Sequence, residues 1–130
     1  MSIDDSVLDI EKMIQLAREG ITKSYLVQLS NYYSLPIKEL AELLPISMRS
    51  IQRYEEEEKF KQSVSIQIII IGEVLKRGED IFDNLKDLNI WLHSRIIGLD
   101  RQQPITLLDT PFGADWVLKE LGRLEHGVYS

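Results

Sequence analysis

Arg49, Gln52 and Arg53 stand three and four residues apart, which sets two guanidinium groups and an amide on one side of any helix that carries them. These are the groups that pair with phosphates and with base edges in a DNA groove. With Met48 just before them, they point to binding rather than to bond-making. A second candidate closes the sequence: Arg123-Leu124-Glu125-His126-Gly127-Val128-Tyr129-Ser130. Arg123 and His126 suit the C-terminal end of a helix, where positive charge meets the helix dipole. Gly127 suits the helix stop. A short aromatic tail follows, which ends, on this reading, in a free carboxylate at Ser130. A projecting tail of this kind fits a pocket on another molecule, and the competing reading is a frayed end.

Nothing in the chain makes a catalytic constellation. His93 and His126 are the two histidines, and there is no cysteine, which excludes disulfides and cysteine zinc sites. Neither a metalloprotease-type histidine pair nor a glycine-rich phosphate loop is present. His93 is expected to cap a helix or pack near Trp91, and Gly113 and Gly122 to be close-packing positions in a helix. The expectation is therefore no catalytic residue, no metal site and no cofactor: a binding protein, not an enzyme.

The whole chain has 130 residues, 44% of them hydrophobic and 28% charged, which suits one domain or two small ones sharing a core. A net charge of −6 argues against indiscriminate nucleic-acid binding. No apolar run approaches a membrane span, and the acidic start Met1-Ser2-Ile3-Asp4-Asp5 is unlike a signal peptide.

The elements that must position the candidate residues read as helices. Val7, Ile10, Ile14, Ala17 and Ile21 form an amphipathic stripe, and Gly20 ends it. Thr22 caps a second helix with Tyr25, Leu26, Leu29 and Tyr32. Pro36 opens a third, with Leu40, Leu43 and Leu44 inward, and Pro45 stops it. Ser47 caps a fourth, with Ile51 and Tyr54 facing in. The four acids at 55–58 read as a solvated helix end leading to a linker. Residues 65–72 include four consecutive isoleucines, for which a buried strand is a rival; continuation of the pattern through Val74 and Leu75 favours a helix, either central or covered by a second copy of the chain. Asp83 is expected to cap the next helix, with Leu85, Leu88, Trp91 and Leu92. Gly98 breaks the chain, residues 100–104 are a polar loop, and residues 104–108 form a single turn. Thr110 caps the last helix and Pro111 begins it; Ala114, Val117, Leu118, Leu121 and Leu124 make its apolar face.

Residues 36–54 fit a helix-turn-helix: Ala41 lets the two helices cross closely, Ile46 fills the turn and Ile51 anchors the second helix. Met48, Arg49, Gln52 and Arg53 would then face operator DNA. The alternative is a structural helix pair.

Further residues carry a family resemblance. Leu40-Ala41-Glu42-Leu43-Leu44 with Ser47-Met48-Arg49-Ser50-Ile51-Gln52-Arg53, the Trp91-Leu92 step, Pro104-Ile105-Thr106-Leu107-Leu108-Asp109-Thr110 with Gly113-Ala114, and Leu121-Gly122-Arg123-Leu124-Glu125-His126-Gly127-Val128-Tyr129 resemble the Xre/MbcA/ParS antitoxins of bacterial toxin–antitoxin operons. The likeness spans residues 20–130. The chain departs from the family at Leu99-Asp100-Arg101-Gln102-Gln103, where members often carry a glycine-rich turn, and at Pro45. The resemblance implies a cytoplasmic bacterial antitoxin. Its partner would be a cognate toxin, most often an NAD-consuming RES-domain protein or a related ADP-ribosyltransferase-like toxin. It also implies repression of the antitoxin's own operon.

The expected architecture is all-α: an N-terminal Xre-like helix-turn-helix region, 1–61, and a small helical toxin-binding domain, 62–130. The expected toxin contacts are Trp91, Arg101, Arg123, His126, Gly127, Tyr129 and Ser130. Gly127 would release the tail, Tyr129 stack in the toxin's pocket, and the Ser130 carboxylate pair with an arginine that normally holds pyrophosphate. Dimerisation through the isoleucine-rich helix is expected, with no membrane partner. The alternative function is a dimeric helix-turn-helix transcriptional regulator whose C-terminal domain senses a ligand or only dimerises.

Overall fold

The computed structural model describes residues 3–127, with side chains from Ile10 onward. The fold is all-α, and among the described residues no strand forms. Helix α1 (Ile3–Glu19) ends at Gly20, whose φ of 98° is open to glycine at no steric cost. Helix α2 (Lys23–Tyr33) starts as expected, with the Thr22 hydroxyl accepting from the Tyr25 N–H at 3.1 Å. Ser34 in the left-handed region (φ 55°) closes it.

Helix α3 (Ile37–Ala41) is shorter than the sequence suggests. Its last turn tightens: Leu43 N–H donates to the Leu40 carbonyl and Leu44 N–H to that of Ala41. Pro45, with no N–H to give, cannot continue the ladder. Leu40, Ala41, Leu43 and Leu44 are all buried. Helix α4 (Met48–Arg53) follows, capped by Ser47, whose hydroxyl accepts from the Ser50 N–H at 3.0 Å.

The acidic stretch at 55–58 is exposed, but it is not a free linker. The carbonyls of Glu56 and Glu58 accept from the N–H groups of Ser24 and Lys23 at 2.8 and 3.1 Å, satisfying donors that a helix start leaves without partners. Lys23 Nζ donates to the Tyr54 carbonyl at 2.9 Å, and Phe60 N–H to that of Ile21 at 2.8 Å. The acids thus lie beside the positive end of the α2 dipole.

Helix α5 (Gln62–Ile81) takes in the isoleucine run. β-Branched residues are mediocre helix formers, and burial decides the outcome. Val64, Ile68, Ile71, Val74 and Leu75 are almost wholly enclosed; each such side chain contributes about 1.5–3 kcal/mol on burial. Helix α5 packs against α1 and α2 and, beyond them, against α6 (Leu85–Leu92) and α7 (Pro111–Gly127). The buried side chains of both halves form one cluster, and the 61/62 boundary falls at the start of this shared helix. Tyr32 and Tyr33 both donate to the Glu79 carboxylate, tying α2 to α5.

Helix α6 is capped by Asn84, not Asp83: the Asn84 side chain accepts from the Asp87 N–H at 2.8 Å. Two 3-10 turns follow, Ile97–Leu99 and Pro104–Leu107. Thr110 caps α7 as expected, accepting from the Gly113 N–H at 3.1 Å. Gly113 is a true close approach, since a β-carbon there would collide with the Leu107 carbonyl. Gly122 is not: a β-carbon there meets open space, so the close-packing expectation fails at that position.

Ser65 is the polar joint of the core. Fully buried, its hydroxyl accepts from the Ile21 N–H at 2.8 Å and donates to the Phe60 carbonyl at 3.1 Å. Ser65→Ala strands a buried N–H and should cost roughly 1–3 kcal/mol, read from denaturant melts of the two proteins; a change within a few tenths would show that water replaces the hydroxyl.

Candidate functional site

Two surfaces gather the candidate residues. On α4, Ile51 points into the core while Arg49, Gln52 and Arg53 are exposed. Met48 is half-buried and packs on the core, so it offers less than its neighbours to a partner. Arg53 borders a shallow groove with Pro45, Ser47, Glu58 and Lys61. One acid therefore does share this side, but Glu58 is turned back on its own loop, where Oε1 accepts from the Glu55 N–H at 3.1 Å.

The second surface is built from α6, the loop after it, and α7. Trp91 faces inward, packed on Phe82 with ring centroids 5.7 Å apart; it holds α6 in place rather than presenting itself. The loop turns on two successive left-handed residues, Asp100 (φ 58°) and Arg101 (φ 62°). Arg101 N–H donates to the Ile96 carbonyl at 2.9 Å, and Gln102 Nε2 to that of Leu99 at 3.2 Å. Left-handed φ favours glycine, so a glycine-rich turn would suit this backbone as well. The Arg101 side chain is exposed.

The same loop leans on α7. Gly98 lies flat against the Glu120 carboxylate, so close that a β-carbon would collide with it. Glu120 is buried and is partnered by Arg123, with Nη1 to Oε1 at 3.1 Å. Arg123 is thereby brought beside the loop that carries Arg101. His126 lies one turn on, exposed and 3.9 Å from Glu125. Glu125 pairs with Arg77 of α5 at 2.6 Å, and that hydrogen bond holds its carboxyl below the usual carboxylate range. The end of α7 is thus braced to the central helix. Gly127 is helical and is the last residue described, and the expected tail contacts Tyr129 and Ser130 lie outside the described residues.

Sequence reasoning overlooked four exposed apolar residues in this half: Phe112 (86% exposed), Ile97 (82%), Ile90 (57%) and Trp116 (38%). A signal existed. Phe112 and Trp116 are four apart and fall opposite the buried Ala114, Val117 and Leu121 on a 3.6-residue helix, where polar residues are expected.

Helices α6 and α3 meet at a polar contact. Asn89 Nδ2 donates to the Tyr33 carbonyl at 3.1 Å. The His93 ring, at the end of α6, places Nδ1 2.8 Å from the Asn89 carbonyl and Nε2 2.8 Å from Glu39 Oε2. Both neighbours are acceptors, so the ring satisfies both only when doubly protonated. Among the described residues no group of three or more histidines or carboxylates is placed to hold a metal ion, and no helix is long and apolar enough to cross a membrane.

Residues 77–127 match the model of the antitoxin Xre/MbcA/ParS C-terminal toxin-binding domain. A protein of Yersinia enterocolitica named antitoxin Xre is 29% identical over 120 residues, covering 91% of this chain and 81% of that protein. One of the same name from Photorhabdus laumondii is 28% identical over 117 residues, covering 88% and 79%. The C-terminal part of the chain is thus similar to the toxin-binding domain of the Xre/MbcA/ParS antitoxins, and most of its length is similar to proteins named antitoxin Xre. The matched span opens at Arg77 and takes in Glu125, so the ion pair that braces α7 joins the two ends of the family's toxin-binding domain. Arg101, Arg123, His126 and the overlooked Ile90, Ile97, Phe112 and Trp116 all lie within it, whereas the α3–α4 pair lies outside.

The contact between α6 and α3 should depend on pH. Burial alone would lower the His93 pKa, but the Asn89 carbonyl, the Glu39 hydrogen bond and the Glu39 charge outweigh it and hold the imidazole above its ordinary 6.5. Lys38 and Glu42 border the same groove and add charges of opposite sign. A histidine with a raised folded pKa stabilises fully below its unfolded value and loses that contribution as pH rises through the folded one. Unfolding free energy should therefore fall across the near-neutral range in the intact chain, and the slope should flatten in His93→Gln; matching slopes in chemical melts of the two would refute the linkage.

Proposed function

We propose that the chain neutralises a cognate toxin through its C-terminal half, represses its own operon through α4, and acts as a homodimer in a bacterial cytoplasm. The observation that carries the reading is the match of residues 77–127 to a toxin-binding domain, supported by the two relatives named antitoxin Xre. The toxin is an NAD-consuming RES-domain protein or a related ADP-ribosyltransferase-like enzyme, as the family resemblance implies.

The chemistry of neutralisation is occupation of the toxin's site. Helix α7, braced by Arg77 and Glu125, leads directly into residues 128–130. A pocket that binds NAD must accept flat rings beside a pyrophosphate, and the Tyr129 ring suits the first of these. Arg123 and His126 would contact the pocket's rim, and Arg101 would meet the toxin from the loop packed on α7. Repression is supported by the exposure of Arg49, Gln52 and Arg53 on one helix. Dimerisation is supported by an apolar groove between α1 and α5: Ile68 and Ile71 are buried by the chain itself, but Ile10 (55% exposed) and Ile14 (45%) remain uncovered beside Ile66, Ile69 and Ile70. A second copy there would give the two-fold symmetry that paired DNA half-sites favour.

Deleting residues 128–130 tests the tail. NAD consumption by the toxin encoded beside this gene should be abolished by the intact chain, whereas the truncated chain should need a concentration roughly 30-fold to several hundred-fold higher, the equivalent of about 2–4 kcal/mol, with its melting temperature unchanged. Equal inhibition by both forms would reject insertion, and a large fall in melting temperature would make Tyr129 a core residue. Arg49→Glu combined with Arg53→Glu should abolish a low-salt mobility shift of the upstream DNA, while Tyr129→Ala leaves it intact; a shift that survives the double substitution removes α4 from the interface.

A further inference from the structure

Two of the apolar patches on the described surface sit on different parts of the molecule. One is the groove between α1 and α5. The other is a ridge on the outward side of α7. Along that helix Phe112, Trp116, Arg123 and Gly127 succeed one another at steps of four and seven residues, so they share one stripe turned away from the core. Ile97 joins it from the side: its neighbour Gly98 is pressed against Glu120, one turn beyond Trp116. From the ridge, we infer that Phe112, Trp116 and Ile97 are the main docking contact for the body of the toxin. The inference rests on the toxin-neutralising reading and assigns its principal contact to residues that reading does not use.

Two observations, together with the dimer proposed above, favour the toxin over a second copy as the occupant. The ridge lies wholly inside the span that matches a toxin-binding domain, and the α1–α5 groove begins outside it. The stripe also carries Arg123 and Gly127, which the toxin-neutralising reading already uses as toxin contacts. The dimer proposed above would use the α1–α5 groove instead, where Ile14, Ile66, Ile69 and Ile70 meet. Single exposed hydrophobic residues are ordinary, but an aromatic pair beside an isoleucine, two of the three more than four-fifths exposed, has the composition of an interface centre. Ile97 also stands on a rigid mount. The Ile96–Gln102 bridge, the paired left-handed residues and the Gly98–Glu120 contact hold its turn in place, so little ordering is left to do when a partner arrives.

The test is calorimetric titration of the neighbouring-gene toxin with the full chain, with the double variant Phe112→Ser/Ile97→Ser, and with Ile14→Ser from the groove, each also measured by light scattering. Both ridge residues are so exposed that folding should be untouched. The ridge variant should bind the toxin about 30-fold more weakly or worse with an unchanged oligomeric state, while Ile14→Ser keeps the intact chain's toxin affinity. Unchanged affinity in the ridge variant overturns the assignment, as does a loss of the dimer with toxin affinity retained, which would give the ridge to a second copy. Failure of the intact chain to bind the toxin at all overturns the neutralising reading, and the ridge assignment with it.

Discussion

One helix that is apolar around most of its circumference has to be covered from several directions, and the rest of this fold follows from that demand. Helix α5 buries Val64, Ile68, Ile71, Val74 and Leu75, more than any single neighbour can enclose. Helices α1 and α2 come from the N-terminal half to cover part of it, and α6 and α7 from the C-terminal half cover more. Because both halves borrow the same helix, the α4 surface and the α7 surface are fixed relative to one another by shared packing rather than joined by a tether.

The polar contacts lie where that shared packing would otherwise slip. Ser65 ties the strap at 59–61 to the turn before α2. Gln67, also buried on α5, donates to the Leu108 carbonyl at 2.7 Å and so fixes the approach to α7. The Arg77–Glu125 pair fixes the far end of the same helix. An isolated, half-exposed ion pair contributes little to stability; here its value lies in direction, since it sets where α7 points.

Local chemistry was the most legible part of the sequence. Thr22, Ser47 and Thr110 cap helices as their types and positions suggest, because a cap depends on a few adjacent backbone atoms. The helical state of the isoleucine run was legible from its length. What failed depended on distant contacts or on a choice between neighbours. Asn84 rather than Asp83 caps α6, and a sequence holding both side by side offers no way to choose. Gly122 resembles Gly113 in sequence, yet only Gly113 meets another backbone. Trp91, expected at the toxin surface, points into the core. The ridge is not legible from the apolar stripe of α7, because that stripe accounts for the leucines while Phe112 and Trp116 lie on the opposite side. The contacts of Arg101 and Arg123 depend on Gly98 meeting Glu120, a pairing that no spacing rule announces.

The pair of left-handed residues at Asp100 and Arg101 bears on how this loop can diversify. Glycine, asparagine and aspartate enter that conformation at modest cost, and β-branched residues do not. A lineage can therefore exchange a glycine-rich turn for a polar one without reshaping the backbone, changing the charge shown at Arg101 while Ile97 stays on the same mount. The loop behaves as a fixed bracket with an interchangeable tip, a form in which partner preference can drift by single substitutions while the helices beneath it stay as they are.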